Sequence, residues 1–221
     1  MRALEAQLRA GAQALGLALD DLRIARLLDY VDLVAKWNQV YNLTAVREPA
    51  AMLTQHLLDS LAVLPPLLRH LDARRAVRGS ARATLLDVGS GAGLPGVVLA
   101  ICCADLQVDC VDSVAKKAAF VQQVALSLQL SNLRGIHARV ERLRGPYDLV
   151  IARAFASLHD FTGWSEAALA PDGVWLAMKG KHPDQELADL SDAVALFHVE
   201  PLCVPGLEAE RCLVWMRKKA G

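Results

Sequence analysis

The chain has 221 residues, 54% of them hydrophobic and 22% charged, with 24 basic side chains against 24 acidic ones. That length allows one large domain or a core domain with a small appendage, and it can bury a sizeable core. Balanced charge excludes the disordered acidic and basic tail classes and leaves any nucleic-acid binding to a local basic face.

In chain order, residues 1–68 read as helical. Asp20 is a helix cap, and Ile24, Leu27, Leu28, Val31 and Val34 follow on one face at helical spacing. A second helix starts at Glu48-Pro49, carries Met52, Leu53, Leu57 and Leu61, and stops at Pro65-Pro66. A connector then holds Arg69, Arg74, Arg75, Arg78 and Arg82 against the single acid Asp72. From Thr84 strands alternate with helices. Strands are expected near Leu85–Val88, Leu106–Val111, Leu133–His137, Asp148–Ala152 and Val174–Met178, with a helix over Ala115–Gln129. That alternation means an α/β fold on a mostly parallel sheet with right-handed crossovers. Val194–Val204 and Cys212–Met216 suit a terminal antiparallel hairpin. The division is therefore residues 1–82, a helical extension with its connector, and residues 83–221, the sheet domain.

The run LLDVGSGAGLPG, Leu85 to Gly96, closes a buried strand on Asp87 and then on closely spaced glycines. Only glycine tolerates positive φ freely and lets a ligand approach the backbone without a side chain between them. VVLAICC follows as a helix with Pro95 in its first turn, where a missing N–H costs least. Strand, glycine turn and helix form half of a nucleotide-binding unit, with the ligand outside the carboxyl end of the sheet. Gly91-x-Gly93-x-x-Gly96 matches a dinucleotide fingerprint, which alone is weak. Asp87 places a carboxylate where a pyrophosphate would sit, and Pro95 removes an N–H that would greet a phosphate. A phosphate-free cofactor with a cationic sulfonium suits both, so the pattern favours S-adenosylmethionine.

Asp112 ends the second strand, where an acid accepts hydrogen bonds from ribose hydroxyls. A helix cap for the next segment, with Ser113 as competitor, is the other role open to it. Val140-Glu141 follows the third strand, where a backbone N–H and an apolar side chain would frame an adenine with Glu141 facing its amino group. Beside Arg139 and Arg142, Glu141 is also open to a solvated charge pair. The five cysteines lack C-x-x-C spacing: Cys102 and Cys103 are adjacent, while Cys110, Cys203 and Cys212 lie in apolar runs. Free core thiols in a reducing compartment are expected, and no metal. With no signal peptide and no membrane-spanning apolar run, a cytoplasmic chain is expected, and nothing demands more than a monomer.

WNQVYNLTAVREP, QHLLDSLAV, LLDVGSGAGLPGVVLAI, VDSVAKKAAFVQQV and VIARAFASL resemble, in order and at similar spacing, segments of the ribosomal RNA small subunit methyltransferase G family, also called glucose-inhibited division protein B. The resemblance covers nearly the whole chain. It implies a class I methyltransferase fold with a helical amino-terminal extension, and methyl transfer from S-adenosylmethionine to nitrogen 7 of one guanine in a 16S ribosomal RNA hairpin loop. The partner implied is that RNA or the small ribosomal subunit. By position, the family's cofactor contacts fall on Gly89, Leu94, Val140, Glu141 and Arg153; Leu94 departs from members that carry an aromatic residue there.

Guanine nitrogen 7 has no proton to remove, so alignment matters more than an acid or base. After the fourth strand, where amino-group methyltransferases place an Asn/Asp-Pro-Pro-aromatic motif, this chain has Arg153-Ala154-Phe155-Ala156. Arg153 suits the cofactor carboxylate or the orientation of a loop, and Phe155 suits stacking on a base or core packing. His56 and Asp59 either line the RNA or cofactor mouth, with His56 a candidate RNA contact, or form a surface ion pair. Lys179 and Lys181 follow the fifth strand and suit RNA phosphates, with Lys179 also a catalytic candidate. The connector arginines and Arg217-Lys218-Lys219 would extend the basic face. The alternative class is a methyltransferase-fold RNA-binding or division-associated protein without this activity; intact Asp87, Gly89, Gly91, Gly93 and Asp112 argue against it.

Overall fold

The computed structural model describes residues 2–78 and 82–219. Helix α1 (Arg2–Ala14) leads into α2 (Asp21–Tyr41), which Asp20 caps by accepting the Arg23 N–H at 2.8 Å. Asn42 ends α2 at φ +48°, a left-handed conformation that asparagine tolerates. A second rod follows. It runs α3 (Pro49–Met52), a π-helical stretch Leu53–Leu58, then α4 (Asp59–Leu61). Single π turns inside α-helices recur at functional sites.

The rod stops at Ala62-Val63, earlier than the expected proline stop, and Pro65-Pro66 instead sit in the first turn of α5 (Leu64–Arg78). That first turn has no i−4 acceptor, so two missing N–H groups cost it little. Most of the expected connector is therefore helix, while residues 79–81 and the Arg78 side chain lie outside the described residues. Its described arginines are each engaged by an acid or a carbonyl instead of standing free on a basic face. Arg69 pairs with Glu200, Arg74 with Asp148, and Arg75 with Asp105 at 3.4 Å, while Arg82 donates to the Ala104 carbonyl. Arg69 and Arg74 tie the helix to β6 and β4, and Arg75 and Arg82 reach the loop between α6 and β2.

The strands are β1 (Ala83–Val88), β2 (Leu106–Asp112), β3 (Leu133–His137), β4 (Tyr147–Arg153), β5 (Leu169–Lys179), β6 (Val194–Pro201) and β7 (Cys212–Lys218). They form one sheet in the order β3-β2-β1-β4-β5-β7-β6. The first five are parallel, and β7 runs antiparallel between β5 and β6, which makes the terminal hairpin. Helices α6 (Gly96–Cys102), α7 (Ala115–Ser127), α8 (Leu158–Ser165) and α9 (Asp184–Ala188) complete the chain. Pro95 is the N-cap of α6, one position before the expected first turn.

Alternation along the strands sorts the core onto two faces. Leu85, Val108, Leu149 and Leu176 pack with the amino-terminal helices, α6 and α7. Leu86, Val111, Val150 and Trp175 pack on the opposite face with Leu158 and Phe161 of α8. One continuous core thus joins residues of α1 and α2 to the sheet. The thiols are free, but the expectation that all lie in the core fails at Cys203, which is exposed, and at Cys102 and Cys103, which are half-buried. No described helix is long and apolar enough to cross a membrane. Arg217 lies over the Phe197 ring and the Lys218 ammonium donates to the Leu169 carbonyl, so two of the three tail cations are engaged.

Candidate cofactor and substrate site

The sheet order reverses between β1 and β4, and the carboxyl ends of β1, β2, β4 and β5 open on one edge. This is where open α/β sheets bind ligands. The turn after β1 is pinned to β2, with the N–H groups of Gly89 and Ser90 both donating to the Val111 carbonyl, at 2.9 and 3.2 Å. From the other side, the buried Tyr30 hydroxyl of α2 donates to the Ala92 carbonyl at 2.7 Å. The turn is held between sheet and helical extension.

Gly89, Gly91 and Gly93 all have positive φ, but they meet different surroundings. A Cβ on Gly93 would strike Val97 at 2.5 Å, a core contact. One on Gly89 would strike the Phe155 ring at 2.2 Å. One on Gly91 meets nothing within 4 Å, so this glycine alone of the three faces open space. Asp87 also lies under the turn, away from the cavity walls. Its Oδ2 accepts the Gly96 N–H at 2.8 Å and its Oδ1 is buried without a partner. Burial pushes its carboxyl up to about 7, against the opposing pull of the Gly96 N–H and the Arg153 charge. Asp87 and Gly93 shape the turn from beneath.

Two cavities flank it, and Gly89 and Ala154 line both. The first, of about 500 Å³, is walled by Asp112, Ser113, Val140, Glu141, Phe155 and Trp164. Asp112 is buried there; its Oδ2 accepts the Gly91 N–H at 3.0 Å and its Oδ1 the Val114 N–H at 2.8 Å. The N-cap of α7 is Val114, which no side chain caps, so neither Asp112 nor Ser113 is the helix cap the sequence allowed; the Asp112 carboxylate instead ties the glycine turn to the loop before α7. Val140 is buried at the start of a 3-10 turn, with Glu141 exposed beside it. Phe155 is half-buried, packed over Gly89 and edge-on to Trp164 at 5.9 Å.

The second cavity, of about 470 Å³, is walled by Thr44, His56, Asp59, Leu94, Arg153 and Arg211 among others. The loop after α2 and the π-helical stretch supply its roof. His56 and Asp59 are both buried and do not form the surface ion pair left open by the sequence. His56 Nε2 pairs with Thr44 Oγ1 at 2.8 Å, and burial, followed by the Arg153 charge, lowers its pKa. Arg153 donates to the Gln55 carbonyl at 3.0 Å and to Asp59 at 3.1 Å.

Lys179 departs from expectation. Its ammonium donates to both Glu186 oxygens, at 2.6 and 2.9 Å, and to the Ala156 carbonyl at 3.1 Å. A lysine with three anionic or carbonyl acceptors is an internal tether of the Ala154–Ala156 loop, not a free phosphate contact. Lys181, two residues on, is exposed. Sequence reasoning missed Thr44, Trp164 and Arg211. WNQVYNLTAVREP carried the signal for Thr44, whereas Arg211 stands in a polar link that gives no local sign of its partner.

The fold and the cleft define the class. TrmN from Thermus thermophilus superposes with a TM-score of 0.55 at 20% identity, over 76% of this chain and 53% of that one. The glycopeptide N-methyltransferase MtfA, solved with S-adenosylmethionine, also gives 0.55, at 10% identity over 67% of this chain and 86% of that one. At such identities the likeness is one of fold, that of the class I methyltransferases. Within that class, residues 23–214 match the family of rRNA small subunit methyltransferase G, GidB, and the chain belongs to it. It is 62% identical to the ribosomal RNA small subunit methyltransferase G of Paracidovorax citrulli (strain AAC00-1), over 99% of this chain and 92% of that one. With that of Acidovorax ebreus (strain TPSY) it shares 64%, over 98% and 96%.

Proposed function

We propose that the chain transfers a methyl group from S-adenosylmethionine to nitrogen 7 of one guanine in 16S ribosomal RNA, acting as a cytoplasmic monomer on that RNA or on the small subunit. Family membership over residues 23–214 carries the reading, and the cleft fits the cofactor: at Gly91 a Cβ would project into open cavity, so the space a ligand needs is kept clear. When bound, S-adenosylmethionine supplies an electrophilic methyl group on a cationic sulfur.

The residues divide the work. Gly89, Gly91 and Leu94 shape the floor for the methionine half. Asp112 and Ser113 offer acceptors to ribose hydroxyls, and Val140 with Glu141 frames the adenine. Arg153 faces anionic groups across the second cavity. Phe155 and Trp164 offer aromatic surface for a base. Guanine nitrogen 7 carries a lone pair and no proton, so no side chain has to act as a base. The chain's contribution is alignment, worth several kcal/mol when two reactants are held in line, on the order of 7–11 at most.

Methyl-labelled S-adenosylmethionine with 16S RNA, a precursor particle and the assembled subunit in parallel tests the reading. The label is expected on nitrogen 7 of a single guanine in at least one of them, and lost with Gly91→Val. Cofactor binding without methylation of any substrate would favour the non-enzymatic RNA-binding alternative.

A further inference from the structure

Three charged side chains from distant parts of the chain meet in the wall of the second cavity. Asp59 begins α4 and has only 4% of its side chain exposed. One carboxylate oxygen accepts from Arg153 Nη1 at 3.1 Å; the other accepts from Arg211 Nε at 2.8 Å. Arg153 ends β4 and Arg211 immediately precedes β7. A buried carboxylate requires a cationic partner, and one guanidinium balances its charge. Here there are two.

The other buried acid within reach of Arg153, Asp87, lies beneath the turn and not in the cavity wall, and burial disfavours its charged form, so the triad faces the cavity with excess positive charge. Lys179, on the same wall, is balanced by Glu186. His56 adds little near neutral pH, because burial and Arg153 disfavour its charged form. Each guanidinium also keeps free donors. Arg153 engages Asp59 and Gln55 through Nη1, and Arg211 engages Asp59 through Nε and the Glu210 carbonyl through Nη1. Both side chains remain partly exposed, at 22% and 26%, and both line the cavity.

We infer that Arg153 and Arg211, splayed on Asp59, form an oxyanion seat in the second cavity and that Asp59 is its positioning residue. Paired guanidinium groups suit the oxygens of a carboxylate or a phosphodiester. Within the proposed function, on which the inference rests, the source is the cofactor's methionine carboxylate or a backbone phosphate of the RNA. Asp59 touches neither. It sets where the two forks point.

The test uses the full-length chain and its Asp59→Asn, Asp59→Glu and Arg211→Gln variants. Three probes are titrated: S-adenosylhomocysteine, 5′-methylthioadenosine, which lacks the carboxylate, and 16S RNA over a salt series. Asp59→Asn is expected to weaken S-adenosylhomocysteine or RNA at least tenfold while leaving 5′-methylthioadenosine within twofold, and Asp59→Glu to recover part of the loss. A fall confined to S-adenosylhomocysteine names the carboxylate. One confined to RNA, with the salt slope reduced by about one, names the phosphate. Unchanged affinity for all three probes, or a uniform fall in all three, overturns the inference. If Asp59→Asn fails to fold by circular dichroism, Arg211→Gln, which leaves Asp59 paired with Arg153, decides by the same readouts. A wild-type chain that binds neither adenosyl probe would instead refute the proposed function, and the RNA arm still decides the seat.

Discussion

Asp112→Ala separates the structural task of this carboxylate from the ribose contact proposed for it. In the folded chain Asp112 accepts N–H groups from Gly91 and Val114, and only 6% of it is exposed. Truncation orphans both donors, at a cost of about 1 kcal/mol each, the low end of the range because the adjoining cavity admits water. For a chain of this size about 2 kcal/mol lowers Tm by about 4–8 °C. Loss of charge-assisted bonds to ribose hydroxyls adds about 1.5–3 kcal/mol to binding, which is roughly ten- to a hundredfold in affinity. The two effects are told apart by calorimetric titration of wild type and variant with S-adenosylhomocysteine and its 2′-deoxy counterpart. If the carboxylate grips the ribose, the variant's penalty is large for the first ligand and much smaller for the second. Equal penalties would refute the ribose role and leave Asp112 as a support of the turn.

Two further outcomes test the site's surroundings. Because burial raises the Asp87 carboxyl from 3.8 to about 7, the folded chain holds a proton that the unfolded chain releases, and stability is full below about pH 4 and falls as pH rises through 7. Urea melts should show wild type losing about 3 kcal/mol relative to Asp87→Asn between pH 5 and pH 8, and parallel curves would remove the buried proton from the account. Lys181→Ala should lower the slope of log RNA affinity against log salt by about one. Lys179→Ala should leave that slope alone and weaken S-adenosylhomocysteine by releasing the Phe155 loop; the opposite pattern would exchange the roles of the two lysines.

Where local chemistry decides an element, the sequence was informative. Buried parallel strands read as continuous apolar runs, so β1 to β4 fall within two residues of expectation. At β5 the strand begins at Leu169, because Leu169 pairs with Tyr147 and the register then shifts past Ala170-Pro171-Asp172-Gly173 to pair Val174 with Leu149, and the turn-like composition of those four residues hides the early start. Pro65-Pro66 illustrates the same ambiguity, since proline both ends one helix and opens the next. The glycine turn was legible as a tight positive-φ turn, but which of its glycines faces open space depends on Val97, Val121 and Phe155, brought there by folding. Arg211 lies beyond local reasoning altogether. Its partner, Asp59, is 152 positions away in the chain.

The sheet order also governs what happens while the chain is incomplete. β1 is flanked by β2 and β4, and Leu85 to Val88 pair with Leu149 to Ala152. A nascent or truncated chain ending before residue 147 can assemble β1, β2 and β3, yet β1 then presents an open edge of Leu85, Leu86 and Val88. Open apolar edges recruit foreign strands and seed aggregation. The strand that leads into the glycine turn, already pinned to β2, is thus left with one unpaired edge during synthesis. It closes only when β4 arrives, the same strand that carries Arg153 to the cleft.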